Sequence, residues 1–193
     1  KPFQKTIVLC IIRGVSITGA QFCFYLALIN LEFATASTLA FASPFFLTIL
    51  SIPILKAKVG TWRWSAIVIG FLGIILIMGV GSDLFSIYAL LPLGAAFGYA
   101  LSSVTVKLFD NHTSNATIQL NTQLITLFSA SLLLYFVGEY NELQSIWDLI
   151  LIVVMGISGG LGVICLVSAY RISEPSTIAP FEYFGIPFSI FLG

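Results

Sequence analysis

Few residues in this chain could do chemistry, and the most informative is an acid. Glu182 lies within "APFEYFGIPF" (179–188), among aromatics and two prolines. Glu174 and Pro175 form a favourable first turn for a helix, which sets Glu182 about eight residues, or roughly 12 Å, inside it. An ionisable side chain at membrane depth costs roughly 2.5–3.5 kcal/mol on insertion scales, so it is expected to face a bundle interior or a water-filled cavity. There it would act as counter-charge to a cationic solute group or as a proton-coupling site. The alternative is a protonated or ion-paired carboxylate that holds helices together. Arg13 is the one plausible charged partner at similar depth. It would pair with Glu182, lowering the cost of both charges, or lie at the interface with its stem snorkelling, because Gly14 to Leu31 is nearly long enough to span alone. The residue count favours the interface.

Prolines and short hydroxylated side chains form the next layer of candidates. Pro44 and Pro187 are each expected to free a backbone carbonyl in mid-helix, which is tolerated at membrane depth where it lines a cavity or finds another partner. Ser37, Phe41, Pro44, Thr48 and Ser51 share one helical face, with Ser43 beside Pro44, and Ser176, Pro180, Tyr183 and Pro187 share another. Both stripes would line a solute pathway, or else pack helices together with Ser and Thr bonded to backbone. Gln119, Gln123 and Thr126 make a weaker stripe, and Gln21, Tyr25 and Tyr170 stand alone. The candidate solute or proton pathway therefore comprises Glu182, Tyr183, Pro180, Pro187, Ser43, Pro44, Gln21 and Tyr170, with Arg13 as the ion-pair partner of the acid. No catalytic residue, metal site or cofactor is expected. His112 is the single histidine and sits beside Asp110, too little for hydrolytic or metal chemistry. Cys10, Cys23 and Cys165 lack metal-ligand spacing and are read as buried free thiols. "GGLGVI" (159–164) mimics a nucleotide loop but falls inside an apolar span with no preceding strand.

The elements that must position these groups follow from composition. The 193 residues are 59% hydrophobic and 8% charged, against about a quarter charged in soluble domains. Crossing roughly 30 Å of hydrocarbon takes about 20 apolar residues. Seven such stretches are predicted, near 6–30, 34–55, 64–81, 84–107, 116–137, 147–170 and 175–193. Short connections imply antiparallel neighbours and leave no room for a separate soluble domain. With residue 1 on the cytoplasmic side, all eight Lys and Arg residues fall at or near cytoplasmic helix ends, the usual orientation signal. Trp62, Trp64 and Trp147 mark interfaces. The glycosylation-like triplets at Asn111 and Asn115 fall on the cytoplasmic face and are chance matches. Gly94-Ala-Ala-Phe-Gly98 and Gly156-Ile-Ser-Gly-Gly160 have the spacing that lets membrane helices approach closely.

A shift of 142 residues lays 14–51 on 156–193 without a gap, with identities that include Gly14/Gly156, Cys23/Cys165, Ala27/Ala169 and Glu32/Glu174. The paired units lie an odd number of crossings apart, so they are inverted relative to each other. That architecture belongs to many secondary transporters, with the binding site near the midplane between the repeats. "FYLALINLEFATASTLAFASPFFLTILSIPILKAKVGTWRWSAIVIGFLGIILI" (24–77) and "AYRISEPSTIAPFEYFGIPFSIFLG" (169–193) resemble the two halves of the EamA family in the drug/metabolite transporter superfamily. In "LKAKVG", Ala57 stands where many members carry an acid.

The expected fold is an all-α polytopic membrane protein, seven transmembrane helices of a ten-helix inverted-repeat transporter. Residues 1–81 would be the last three helices of the first repeat, and 82–193 the first four of the second, so the chain is expected to be a fragment. The resemblance implies a multi-pass inner-membrane transporter, not an enzyme, that moves small organic metabolites by alternating access from a central site, with proton coupling left open. The rival reading is a membrane-embedded lipid-handling protein, or an enzyme acting on a lipid-linked head group. The expected partners are a small-molecule solute and the lipid bilayer, with a homodimer left open and no nucleic acid.

Overall fold

The computed structural model describes residues 2–78, 87–110, 112–137 and 145–182, and it is helical in every element. Tyr183 and Pro187 lie outside the described residues, as do the side chains of Pro180 and Glu182. The helices are α1 (Pro2–Asn30), α2 (Phe33–Ala40), α3 (Ser43–Leu55), α4 (Thr61–Met78), α5 (Leu90–Thr105), α6 (Asn115–Val137), α7 (Ile146–Ile172) and α8 (Pro175–Glu182). Among the described residues, five apolar helical stretches are long enough to cross a membrane: Gln4–Asn30, Thr35–Leu55, Ile87–Leu108, Asn115–Phe136 and Ile146–Ile172. This is an all-α polytopic membrane protein.

The span expected to run unbroken from 34 to 55 is interrupted. Proline has no N–H for the carbonyl four residues back, and its ring clashes with that carbonyl. For Pro44 that residue is Ala40, where α2 ends. Phe41 (φ −67°, ψ 0°) and Ala42 (φ −69°, ψ −8°) tighten the backbone into a turn. The Phe41 N–H donates to Ser37 O and Thr38 O, and the Ala42 N–H to Leu39 O at 3.1 Å. Pro44 then falls in the first turn of α3, where a missing N–H costs nothing. The proline thus marks a break between two short helices rather than a kink within one.

Small residues set the packing. α1 lies against α5 and α6, and α3 against α5 and α8. Ala95, Ala96 and Ala100 of α5 are fully buried. A Cβ on Gly98 would stand 2.9 Å from Ser16 O and 3.0 Å from the Ala20 Cβ, so the α1–α5 crossing requires glycine there. Gly94 is looser, its nearest neighbour being the Cys23 Sγ at 3.9 Å. On the other side of α1, Thr18 and Ser129 share a hydrogen bond of 2.6 Å with α6. Leu47, Val104, Val167, Tyr170 and Ala179 join α3, α5, α7 and α8 in one apolar core.

The outward faces are apolar as well. Leu120, Leu124, Leu127 and Phe128 on α6, and the run from Leu149 to Met155 on α7, are exposed, which suits lipid rather than water. Cys165 lies on that outer surface, so of the thiols expected to be buried only Cys10 is fully so. Gly156, Gly159 and Gly160 also meet nothing within 4 Å among the described residues. The close-approach motif of α5 is used, whereas that of α7 has no neighbour there.

Candidate functional site

A cavity of about 640 Å³ opens between α1, the α2–α3 break, α5, α6 and α7. That volume is within the range of small-molecule sites. From α1 come Arg13, Ile17, Gln21 and Phe24, spaced three or four residues apart so that they share one face. The break contributes Ser37, Ala40, Phe41, Ser43 and Pro44. α5 adds Tyr99, Ser102 and Ser103, α6 adds Gln123, and α7 adds Val163, Leu166, Val167 and Tyr170. The lining is mostly apolar and aromatic with a few placed polar groups, the usual make-up of a ligand pocket.

Arg13 is the one charged residue of this lining among the described residues. It is 2% exposed, which overturns the expectation that it would snorkel to an interface. The physical reason is the start of α1: the apolar span opens at Gln4, not Gly14, so Arg13 is carried well inside it. One guanidinium NH donates to the Ser102 carbonyl on α5 at 2.5 Å, while Nε has no partner among the described residues. The Ser102 carbonyl also accepts from the Thr105 hydroxyl at 2.7 Å. No described carboxylate lines the cavity with Arg13. The pairing considered with Glu182 rests on a side chain outside the described residues.

The sequence candidates divide. Gln21, Ser43, Pro44 and Tyr170 meet in the cavity with Arg13. Pro180 and Glu182 lie on α8, and their side chains are outside the described residues, as are Tyr183 and Pro187. Of the stripe from Ser37 to Ser51, only the half before and at the break faces the cavity. The buried Thr48 and Ser51 hydroxyls instead donate to Pro44 O (3.0 Å) and Leu47 O (2.5 Å), the backbone bonding weighed as the alternative. Ser176 is buried, and Ser37 Oγ is buried without a hydrogen-bond partner. On α6 only Gln123 of its stripe reaches the cavity, while Thr126 bonds to Thr122 O at 3.0 Å. Tyr25 is 66% exposed and points elsewhere. Sequence reasoning missed Phe24, Tyr99 and Ser102. The i, i+4, i+8 series Arg13, Ile17, Gln21 followed by Phe24 was readable, but nothing local marked α5.

A second polar cluster closes one end of the bundle. The Arg171 guanidinium donates to Thr113 O, to Asn115 Oδ1 at 2.8 Å and to Asp110 O at 3.1 Å. Lys107 Nζ donates to Arg171 O at 2.9 Å, and Asn115 Nδ2 to Ser168 Oγ at 3.2 Å. This clamp ties the α5–α6 connection to the end of α7. It also occupies the Asn115 side chain of one glycosylation-like triplet.

With this geometry, likeness to known proteins becomes informative. Residues 1–79 match the EamA-like transporter family. A riboflavin transporter of Vibrio cholerae is 34% identical over 156 residues, covering 80% of this chain and 51% of that protein. An S-adenosylmethionine uptake transporter of Rickettsia prowazekii is 28% identical over 149 residues, covering 77% and 50%. A riboflavin transporter of Brucella anthropi is 26% identical over 185 residues, covering 93% and 64%. The chain spans about half the length of the first of these relatives. The match to the EamA-like transporter family thus lies in residues 1–79, and over most of its length the chain is similar to proteins named as transporters of small metabolites.

Proposed function

We propose that the protein is a secondary transporter that carries a small organic metabolite across a cell membrane by alternating access about the cavity described above. The observation that carries this reading is the cavity itself. It lies within a bundle of membrane-spanning helices and draws its walls from helices on both sides of the division proposed at residues 81 and 82. Similarity to transporters named for riboflavin and S-adenosylmethionine supports a metabolite-sized solute. In this reading the halves are inverted repeats that rock about the site, Gln21, Ser43, Pro44 and Tyr170 contact the solute, and Pro180, Tyr183 and Pro187 continue its path. Glu182 is the coupling group, taking up and releasing a proton as the halves exchange access. The protein lies in the inner membrane with residue 1 on the cytoplasmic side, an orientation that its Lys and Arg pattern supports. Solute flux tests the proposal. The full-length protein, reconstituted into liposomes, is offered riboflavin, S-adenosylmethionine and a broad metabolite panel, with and without a proton gradient. Movement of at least one solute, accelerated by the gradient and lost in Glu182→Gln at normal membrane levels, is expected; no flux of any solute overturns it.

A further inference from the structure

Among the described residues Arg13 is a buried donor with one backbone acceptor and no carboxylate beside it in the cavity lining. Its guanidinium lines the cavity, is 2% exposed, and donates to the Ser102 carbonyl, while Nε has no partner among the described residues. Buried polar groups are otherwise hydrogen-bonded, and a buried cation is costly unless it is paired. Ser37 Oγ, in the same lining, is also buried without a partner. The rest of the described polar lining is uncharged, and it includes Gln21, Ser43, Tyr99, Ser102, Ser103 and Gln123. Phe24, Phe41 and Tyr99 come from three different elements and supply aromatic surface around the same space. Among the described residues the cavity therefore offers aromatic walls, neutral side chains that can donate or accept, and one positive charge.

We infer that Arg13 is the residue that reads the solute: its guanidinium takes the hydrogen-bond acceptor edge of a planar heteroaromatic solute and turns away cationic solutes of similar size. The guanidinium is a planar fork of donors, matched to paired acceptors on one edge of a ring or to a carboxylate. A cationic solute meets like charge at close range in a low-dielectric site, which is discrimination by repulsion. Among the solutes for which the relatives are named, this favours one of the riboflavin type, whose uncharged ring carries carbonyl oxygens, over S-adenosylmethionine, whose sulfonium and ammonium together outweigh its single carboxylate. The inference rests on the cavity being the solute site of the proposed transporter.

The test is equilibrium binding of the full-length protein in nanodiscs, so that flux is not needed for a readout. The probes are riboflavin, an aromatic carboxylate (indole-3-acetate) and S-adenosylmethionine, each measured on the unmodified protein, Arg13→Lys and Arg13→Gln. Riboflavin is expected to bind at least about tenfold more tightly than S-adenosylmethionine, and Arg13→Gln to weaken it roughly 10- to 100-fold, as removal of a hydrogen bond to a charged group does. Arg13→Lys keeps the charge but loses the fork, so it should weaken riboflavin while still rejecting S-adenosylmethionine. Indole-3-acetate separates an anionic acceptor from a neutral one, since binding tighter than riboflavin assigns Arg13 to a carboxylate edge. A riboflavin to S-adenosylmethionine ratio unchanged across the three proteins, or a preference for S-adenosylmethionine in the unmodified protein, overturns the inference. If Arg13→Gln does not fold, the Arg13→Lys ratio and the preference of the unmodified protein decide it. Arg13-dependent binding without flux would sink the transport reading alone, and flux indifferent to Arg13 would sink this inference alone.

Discussion

At the scale of single residues, the hydroxyls of this chain fall into two kinds that substitution should separate. Thr18 is buried and bonds across to Ser129 on α6 at 2.6 Å and to Gly14 O on its own helix at 2.9 Å. Ser37 Oγ is buried with no partner among the described residues. Hydrogen bonds between membrane helices are worth about 0.6 kcal/mol on average and up to about 1.7, and an unsatisfied buried hydroxyl contributes nothing to offset its desolvation. Thr18→Val is therefore expected to lower the stability of the full-length protein in detergent by about 1 kcal/mol, read as a lower melting temperature. Ser37→Ala should leave it unchanged or slightly higher in the absence of solute. Equal losses in both would show that Ser37 has a structural partner. Arg13 shows why such distinctions were only half visible beforehand. Its presence at depth was readable, but counting residues onward from Gly14 assigned it to the interface. Its bond to Ser102 depends on a residue 89 positions away, which no local pattern encodes.

Among the elements, length and apolar content were enough to place most spans within a few residues, because hydrocarbon thickness fixes both. The break in the second span was less readable. Pro44 was an evident disturbance, but whether a proline kinks a helix or begins a new one depends on whether the preceding turn can close its own bonds, as Phe41 and Ala42 do. That choice divided the Ser37–Ser51 stripe into a cavity half and a packed half. The same scale governs the α1–α5 crossing. Gly98→Ala places a Cβ 2.9 Å from a backbone oxygen that cannot rotate away, whereas Gly94→Ala meets only the Cys23 Sγ at 3.9 Å. Overpacking of this kind costs typically about 1–3 kcal/mol, so Gly98→Ala should be clearly destabilised in thermal unfolding while Gly94→Ala is close to neutral. Identical melting temperatures for the two would mean that α1 and α5 do not meet as described. At the far end of α7, Arg171→Gln removes the donors held by Asp110, Thr113 and Asn115. Limited proteolysis of the 106–115 connection is expected to quicken several-fold, as it does where a segment loses the contacts that oppose local opening. An unchanged cleavage rate would show that the connection is held by packing alone.

For the whole molecule, the distribution of contacts suggests which parts would move in the proposed transport cycle. α1, α5 and α6 are joined by glycine-mediated crossings, by the Arg13–Ser102 bond and by the Thr18–Ser129 bond. α7 is joined to its neighbours chiefly near its end, through Val167, Tyr170 and the Arg171 clamp, and most of its length is apolar and exposed. Yet α7 supplies one wall of the cavity, and the break that carries Ser43 and Pro44 supplies another. If solute passes between these walls, a bulky side chain on the break should stop it without harming the bundle, because the space it enters is open. Ser43 is the position of choice, since it is half-buried, lines the cavity and opens α3. Ser43→Trp is expected to keep the melting temperature within a few degrees and to reduce flux by at least about tenfold, a transition-state loss of about 1.4 kcal/mol or more. Normal flux in a folded Ser43→Trp protein would place the solute route elsewhere in the molecule and would leave the cavity as a packing defect between the two walls.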